Sequence, residues 1–234
     1  MISPFFMFLF IGTCGVFYPI TCHDASDKQI IANQYVRLIH STGCIYSLLP
    51  ILYYHPKTMI DVTYTPIPEE VSRIFDRTIS YFLWDCVALL ISNEADKPLF
   101  IAHHLLSVTN LWVSRYFGFN WYLICMGLFL AEITNPLTQV SAFLEITNVQ
   151  NIAFEKVYFY SMVVSRGIFA PLATICYLHN IYYHYVLIRD MTYLYQLNLL
   201  FCFISMNLIT ICSVTWLQKK YLVIYKNNND KKMS

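Results

Sequence analysis

Residues 85–135 read DCVALLISNEADKPLFIAHHLLSVTNLWVSRYFGFNWYLICMGLFLAEITN, a mostly apolar run that is long enough to cross a membrane more than once. Its apolar segments contain polar side chains at Asp85, His103, His104, Glu132 and Asn135. A charged side chain at the centre of a bilayer costs about 2.5–3.5 kcal/mol on insertion scales. We therefore expect these side chains to point toward one another or into an internal cavity that the other helices enclose.

The composition of the whole chain is that of a helical membrane protein. Of its 234 residues, 57% are hydrophobic and 12% are charged, whereas a soluble domain carries about 25% charged residues. The net charge of +1 gives no indication of a nucleic-acid partner. The eight cysteines form no Cys-x-x-Cys motif and most lie in apolar runs, so we interpret them as small buried residues and predict no metal site. Cys14 and Cys22 would pair only in an oxidising compartment.

Apolar segments predict an all-α membrane protein with about seven transmembrane helices. The predicted spans are residues 3–20, 35–54, 78–92, 98–114, 119–138, 157–186 and 193–217. The first could instead be a cleaved signal peptide, but it lacks the basic residues that precede a signal's apolar core, which favours a retained helix. The same reading divides the chain into a first helix and polar loop (1–32), a membrane domain (33–217) and a basic tail (218–234).

The segments between the spans are predicted to be polar connections. A hinge is expected at residues 23–34 and a longer loop at 55–77, with a short amphipathic piece over 69–77. Residues 141–156 are predicted to form another polar connection.

Two prolines predict irregular helices. Pro136 lacks a backbone N–H and is expected to end or bend the fifth span near Glu132. The sixth span, residues 157–186, exceeds the ~20 residues of a membrane crossing. A kink near Pro171 or a strong tilt would accommodate its length.

The last sixteen residues hold five lysines and one aspartate, which indicates a cytosolic C-terminus. Lys231 and Lys232 lie four and three residues from the C-terminal end. This spacing resembles the dilysine retrieval signal of endoplasmic-reticulum membrane proteins. The expected location is therefore the endoplasmic-reticulum membrane.

The apolar segments contain a series of polar motifs in a fixed order: Arg37-x-x-His40-Ser41, Tyr81-x-x-x-Asp85, His103-His104, Glu132-x-x-Asn135-Pro136 and Arg166. This order resembles that of the TLC-domain family, which includes ceramide synthases, translocating-chain-associating membrane proteins and a neuronal ceroid lipofuscinosis protein. The resemblance covers about residues 33–217. The resemblance implies a bundle of six or seven helices around an intramembrane pocket.

The resemblance also suggests three functions. Ceramide synthases transfer a fatty acyl group from coenzyme A to a sphingoid amine, and they follow the histidine pair with a His-Asp and a second Asp. This chain has Glu132 and Asn135 at about that place without the preceding histidine, so it is more similar to the generic TLC-domain proteins. We predict a role in lipid homeostasis or lipid sensing. A ceramide-synthase-like N-acyltransferase and a cargo or translocation accessory protein are the alternatives.

The candidate site residues have both functional and structural interpretations. His103 and His104 would be general bases if the chain is an enzyme, with acyl-CoA as co-substrate, and otherwise would bond neighbouring helices. The other predicted pocket residues, which would contact membrane lipid, are Asp85, Glu132, Asn135, Arg166, Arg37 and His40. Either carboxylate could orient a histidine, and Arg166 could neutralise a carboxylate or bind a phosphate. Arg37 and His40 are expected near a span end, in headgroup or structural contacts.

Overall fold

The computed structural model describes residues 25–55, 66–91, 97–118, 121–149, 151–190 and 192–221. This part of the chain is helical and contains no strand, which confirms the predicted all-α class. The elements are α1 (Ala25–Tyr54), α2 (Glu69–Ile91), α3 (Lys97–Phe117), α4 (Trp121–Glu132), α5 (Asn135–Ile146), α6 (Ile152–Met162), a π-helical segment (Val163–Phe169), α7 (Ala170–Tyr183), α8 (Tyr185–Arg189) and α9 (Tyr193–Tyr221). The first predicted span, residues 3–20, lies outside the described residues, as do Cys14 and Cys22.

Side-chain bonds show that α1 and α2 run antiparallel. Arg37 on α1 pairs with Asp85 near the end of α2, and Ser47 further along α1 accepts from Arg77 near the start of α2. Residues further along α1 thus bond to residues that come earlier in α2.

Helices α3 and α4 pack beside α1 and α2. Asp85 and Asp76 of α2 pair with His104 and Arg115 of α3, respectively, so these two helices are also antiparallel. The Tyr122 hydroxyl at the start of α4 donates to the Leu52 carbonyl near the end of α1. An apolar core of side chains from α1 to α4 holds this group of helices together.

Two helical stretches within the described residues are long and apolar enough to cross a membrane: Trp121–Ile146 and Ile152–Tyr183. The first contains the predicted break, since α4 ends at Glu132, residues 133–134 form a turn, and α5 begins at Asn135. Pro136 occupies the first turn of α5, where its missing N–H costs no helical hydrogen bond.

The second stretch is irregular before Pro171 and not at it. Residues Val163–Phe169 form a π-helix, in which the Ala170 N–H donates to the carbonyl of Ser165. A proline cannot donate to the carbonyl four residues before it, and a π-bulge re-routes the hydrogen bonds around such a position. Arg166 lies within this π-helix and is 6% exposed.

Three predicted boundaries are wrong. Residues 25–34, predicted as part of a hinge, belong to α1, and Ile31, Ala32 and Asn33 are buried there. The amphipathic piece at 69–77 is not a separate element but the first turns of α2, where two glutamates favour a helix start.

The third error concerns the connection predicted at 141–156. α5 continues to Ile146 and α6 begins at Ile152, so only a short turn separates them. Ser141 donates to the Glu155 carboxylate across the two helices at 2.7 Å. Ser141 and Glu155 therefore face a neighbouring helix, whereas Thr147, Asn148 and Asn151 in and beside the turn are exposed.

Candidate functional site

A cavity of about 170 Å³ lies between α2, α3, α4, the start of α5, α7, α9 and the π-helical segment. Polar residues gather at one end and include His103, His104, Glu132, Asn135 and Arg166. Apolar side chains form the walls, among them Leu111, Leu123, Ile124 and Leu128. The cavity is therefore amphipathic along its length.

Helix α3 supplies one wall of the cavity. Phe100, His103, Ser107, Asn110 and Leu111 all line it, and their spacing of three or four residues puts them on one face of a helix. Between Phe100 and Leu111 this face spans about 16 Å, at 1.5 Å per residue. The cavity follows the helix axes.

Asp85 connects three helices immediately behind the histidines. It is 2% exposed and does not line the cavity. Its Oδ1 accepts from Arg37 Nε of α1 at 3.0 Å, and its Oδ2 lies 2.8 Å from His104 Nε2 of α3. Asp85 therefore fixes the position of the His104 ring from outside the cavity.

A second chain of hydrogen bonds is built on the break between α4 and α5. The Asn135 amide donates to Glu132 Oε2 at 2.8 Å and accepts from the Arg166 guanidinium at 2.7 Å. Arg166 also donates to the Ala131 carbonyl at 2.8 Å. The broken helix thus brings a carboxylate, an amide and a guanidinium together at one end of the cavity.

His40 and Arg37 are not at a span end, because α1 begins at Ala25 and both lie in its middle. The His40 ring is 2% exposed and stacks on Tyr81, with ring centroids 3.6 Å apart. Its Nε2 lies 3.9 Å from Glu132 Oε1. The predicted position near a span end is therefore wrong for these two residues, and of the two predicted kinds of contact they make the structural one, behind the cavity.

The structure thus sorts the predicted residues into two layers. His103, His104, Glu132, Asn135 and Arg166 line the cavity, whereas Asp85, Arg37 and His40 contact them from behind. The predicted retrieval residues Lys231 and Lys232 lie outside the described residues. The two layers together hold two arginines and two carboxylates, so their formal charges balance.

Sequence reasoning missed the residues at the other end of the cavity: Asn110, Tyr177, Cys202 and Ser205. It also missed Gly127, which lines the cavity from α4. Only Asn110 gave a usable signal, because it follows His103 by seven residues and so lies on the same face of α3. Uncharged serine and glycine give no comparable signal in an apolar helix.

A comparison with protein-family models matches residues 30–219 to the model described as the TLC domain. That range covers most of the chain and contains every residue that lines the cavity.

Proposed function

Because this chain belongs to the TLC-domain family, whose members are lipid-related membrane proteins, we propose that it binds a membrane lipid in the cavity and acts in lipid homeostasis or lipid sensing. The observation that supports the proposal is the amphipathic cavity, with a polar end at Glu132 and Arg166 and apolar walls from α3 and α4. A lipid has the same division between head and chain.

The proposed lipid lies along the helices with its head beside His103 and Glu132. The walls beyond the head contain Leu111, Leu123 and Leu128, which would cover an acyl chain. Burial of each methylene in such a wall stabilises the complex by about 0.8 kcal/mol. The chain would therefore supply most of the affinity, and the polar end would fix the orientation.

The proposed setting is the endoplasmic-reticulum membrane, crossed about seven times, with the C-terminus in the cytosol. In the antiparallel order of the helices, the start of α3 and the end of α9 lie on the same side. His103 is six residues after the start of α3. The lipid head would accordingly lie in the cytosolic half of the bilayer.

Photolabelling tests the binding proposal. The purified full chain is irradiated with a long-chain alcohol that carries a diazirine in its chain, and labelled peptides are identified by mass spectrometry. We expect the label on side chains that line the cavity, such as Ser107 and Leu111 of α3 and Leu123 and Leu128 of α4, and co-purified lipid in the unlabelled protein. Label confined to the outer faces of the helices, at exposed residues such as Leu105 and Trp112, would contradict the proposal.

One contact favours a second function, an N-acyltransferase of ceramide-synthase type. His104 lies 2.8 Å from Asp85 and lines the cavity beside His103, as a base oriented by a carboxylate would. In such a reaction the amine nitrogen of the acceptor attacks the carbonyl carbon of the acyl thioester. A histidine takes the proton from the nitrogen, the carbon–sulfur bond breaks, and the coenzyme A thiolate leaves and is protonated.

Replacing His103 and His104 together by alanine tests the second function. If the chain is an acyltransferase, the double variant should lose amide formation from acyl-CoA and a long-chain amine by at least 100-fold, since base catalysis contributes about 10²–10⁴-fold. Loss of amide-lipid production in cells provides a second measurement.

The control is His179→Ala, because His179 is an exposed histidine of α7 that stacks on Tyr183 and does not line the cavity. Equal amide production by the double variant and the wild-type protein would exclude the histidines as the catalytic bases.

A further inference from the structure

Among the described residues that line the cavity, His103, His104 and Asn110 each carry a polar atom with no hydrogen-bond partner: Nδ1 of the two histidines at the polar end and Oδ1 of Asn110 near the opposite end. These atoms are buried, and His103 Nδ1 and Asn110 Oδ1 belong to residues on the same face of α3. A buried polar atom that makes no hydrogen bond costs about 1–3 kcal/mol, so a ligand that reached both atoms would recover this cost twice.

The two residues are placed to contact one elongated molecule. They are seven residues apart on α3, which is two helical turns, or about 10 Å, on the same face. Between them on α3 lies Ser107, and the wall contributed by α4 includes Ile124 and Leu128. The cavity therefore offers polar groups at His103 and Asn110 with a mostly apolar facing wall between them.

The orientation of the Asn110 amide follows from its other bonds. Its nitrogen donates to the Phe201 carbonyl at 3.3 Å and to the Ser205 hydroxyl. A carbonyl oxygen can only accept, so the group beside it must be the amide nitrogen. Oδ1 is the remaining atom, and it requires a donor such as a hydroxyl or an N–H.

The charges at the polar end indicate an uncharged head. Asp85 is bonded to Arg37, and Glu132 is joined to Arg166 through Asn135. A phosphate or carboxylate head would add a net charge to a group whose formal charges already balance, in a low-dielectric interior where an unmatched charge is costly.

We propose that the cavity selects an uncharged single-chain lipid that carries a second hydroxyl or N–H donor part-way along or at the end of its chain, with its head at His103 and the second donor at Asn110 Oδ1. This inference rests on the proposed binding of lipid and specifies the class of lipid. Asn110 is the specificity-determining residue for the second donor.

Competition against the diazirine-bearing alcohol tests the inference on the purified full chain. The competitors are octanol, decanol and dodecanol and the corresponding terminal diols. The readout is the apparent affinity of each diol relative to the alcohol of equal length. Replacing Asn110 by leucine should lower this ratio roughly three- to tenfold at the best length, because one hydrogen bond contributes about 0.5–1.5 kcal/mol.

Thr109→Val is the matched control. Thr109 is the polar residue next to Asn110 on α3, but it is exposed, donates to the Leu105 carbonyl and does not line the cavity, so the ratio should stay within twofold of the wild-type value. A measurement without variants uses chain length in the wild-type protein. The advantage of the diol should peak at one length and fall on both sides, since His103 and Asn110 are a fixed distance apart.

The competition distinguishes a failure of this inference from a failure of the proposed lipid binding. A ratio that is equal in wild-type protein and Asn110→Leu, with no preferred length, overturns the inference and leaves Asn110 Oδ1 to water. Displacement of the label by neither alcohols nor diols overturns the proposed lipid binding itself, and this inference with it.

Discussion

Replacing Asp85 by alanine is expected to lower the free energy of unfolding by about 3–5 kcal/mol, the cost of breaking a buried ion pair. Asp85 is 2% exposed and holds Arg37 of α1 and His104 of α3 at 3.0 and 2.8 Å. Without it, the Arg37 guanidinium, on a side chain that is 13% exposed, loses this carboxylate. The measurement is equilibrium unfolding of the purified protein from mixed micelles with increasing detergent denaturant.

The chain contains a matched control for this prediction. Asp76 is on the same helix as Asp85 and also pairs with an arginine of a neighbouring helix, Arg115 of α3, at 3.3 Å. Its side chain is 51% exposed, and exposed pairs contribute about 0.2–1 kcal/mol. Asp76→Ala should therefore change the unfolding free energy by at most about a third of the Asp85→Ala effect. Equal effects from the two substitutions would contradict the assignment of Asp85 as the structural centre of α1, α2 and α3.

A double variant identifies the cause of the loss. Arg37→Met combined with Asp85→Leu removes both charges and replaces them with apolar side chains of similar size. If the destabilisation of Asp85→Ala comes from an unmatched buried charge, the double variant should be more stable than Asp85→Ala alone. A loss that is as large in the double variant would instead assign the cost to the hydrogen bond to His104.

The sequence was sufficient to predict the helical class and the family because both depend on one strong physical constraint. Charges such as Asp85, Glu132 and Arg166 are costly in lipid, so their presence in apolar segments indicated a polar interior. Pro136 predicted the break after Glu132 because a proline lacks the backbone N–H in any surroundings, so the prediction needed no knowledge of tertiary contacts.

The boundaries and the bonding partners depend on tertiary contacts, which the sequence does not specify. The polar residues of 25–34 and 141–156 suggested connections, yet Asn33 and Ser141 are buried between helices. Asp85 could have paired with either histidine or with Arg166. The orientation of α1 about its own axis places Arg37 beside Asp85, and the orientation of α3 places His104 there.

The far end of the cavity illustrates the same limit. Asn110 and Ser205 are ninety-five residues apart in the sequence and meet only because α9 packs against α3. Neither residue is charged, so the free-energy cost of placing either in an apolar helix is too small to indicate a site from the sequence.

Replacing Gly127 by phenylalanine should abolish photolabelling of the cavity walls while the protein remains folded. Gly127 lines the cavity from α4, and a Cβ atom added to it would meet no heavy atom within 4 Å. The phenyl ring therefore enters the cavity and not a neighbouring helix, and it occupies the space proposed for the lipid chain. We expect the label on the cavity-lining residues of α3 and α4 to fall at least tenfold.

Two controls separate filling of the cavity from the loss of a helical glycine. Gly127→Ala adds one methyl group and should keep the labelling within twofold, while it favours the helix by up to about 1 kcal/mol. Gly43→Phe places the same ring in open space on α1, at a residue that does not line the cavity, and should leave the labelling unchanged. Because all three substitutions avoid backbone clashes, their melting temperatures should stay close to the wild-type value. Full labelling of a folded Gly127→Phe variant would show that lipid binds elsewhere, and the cavity would then have no part in the proposed function.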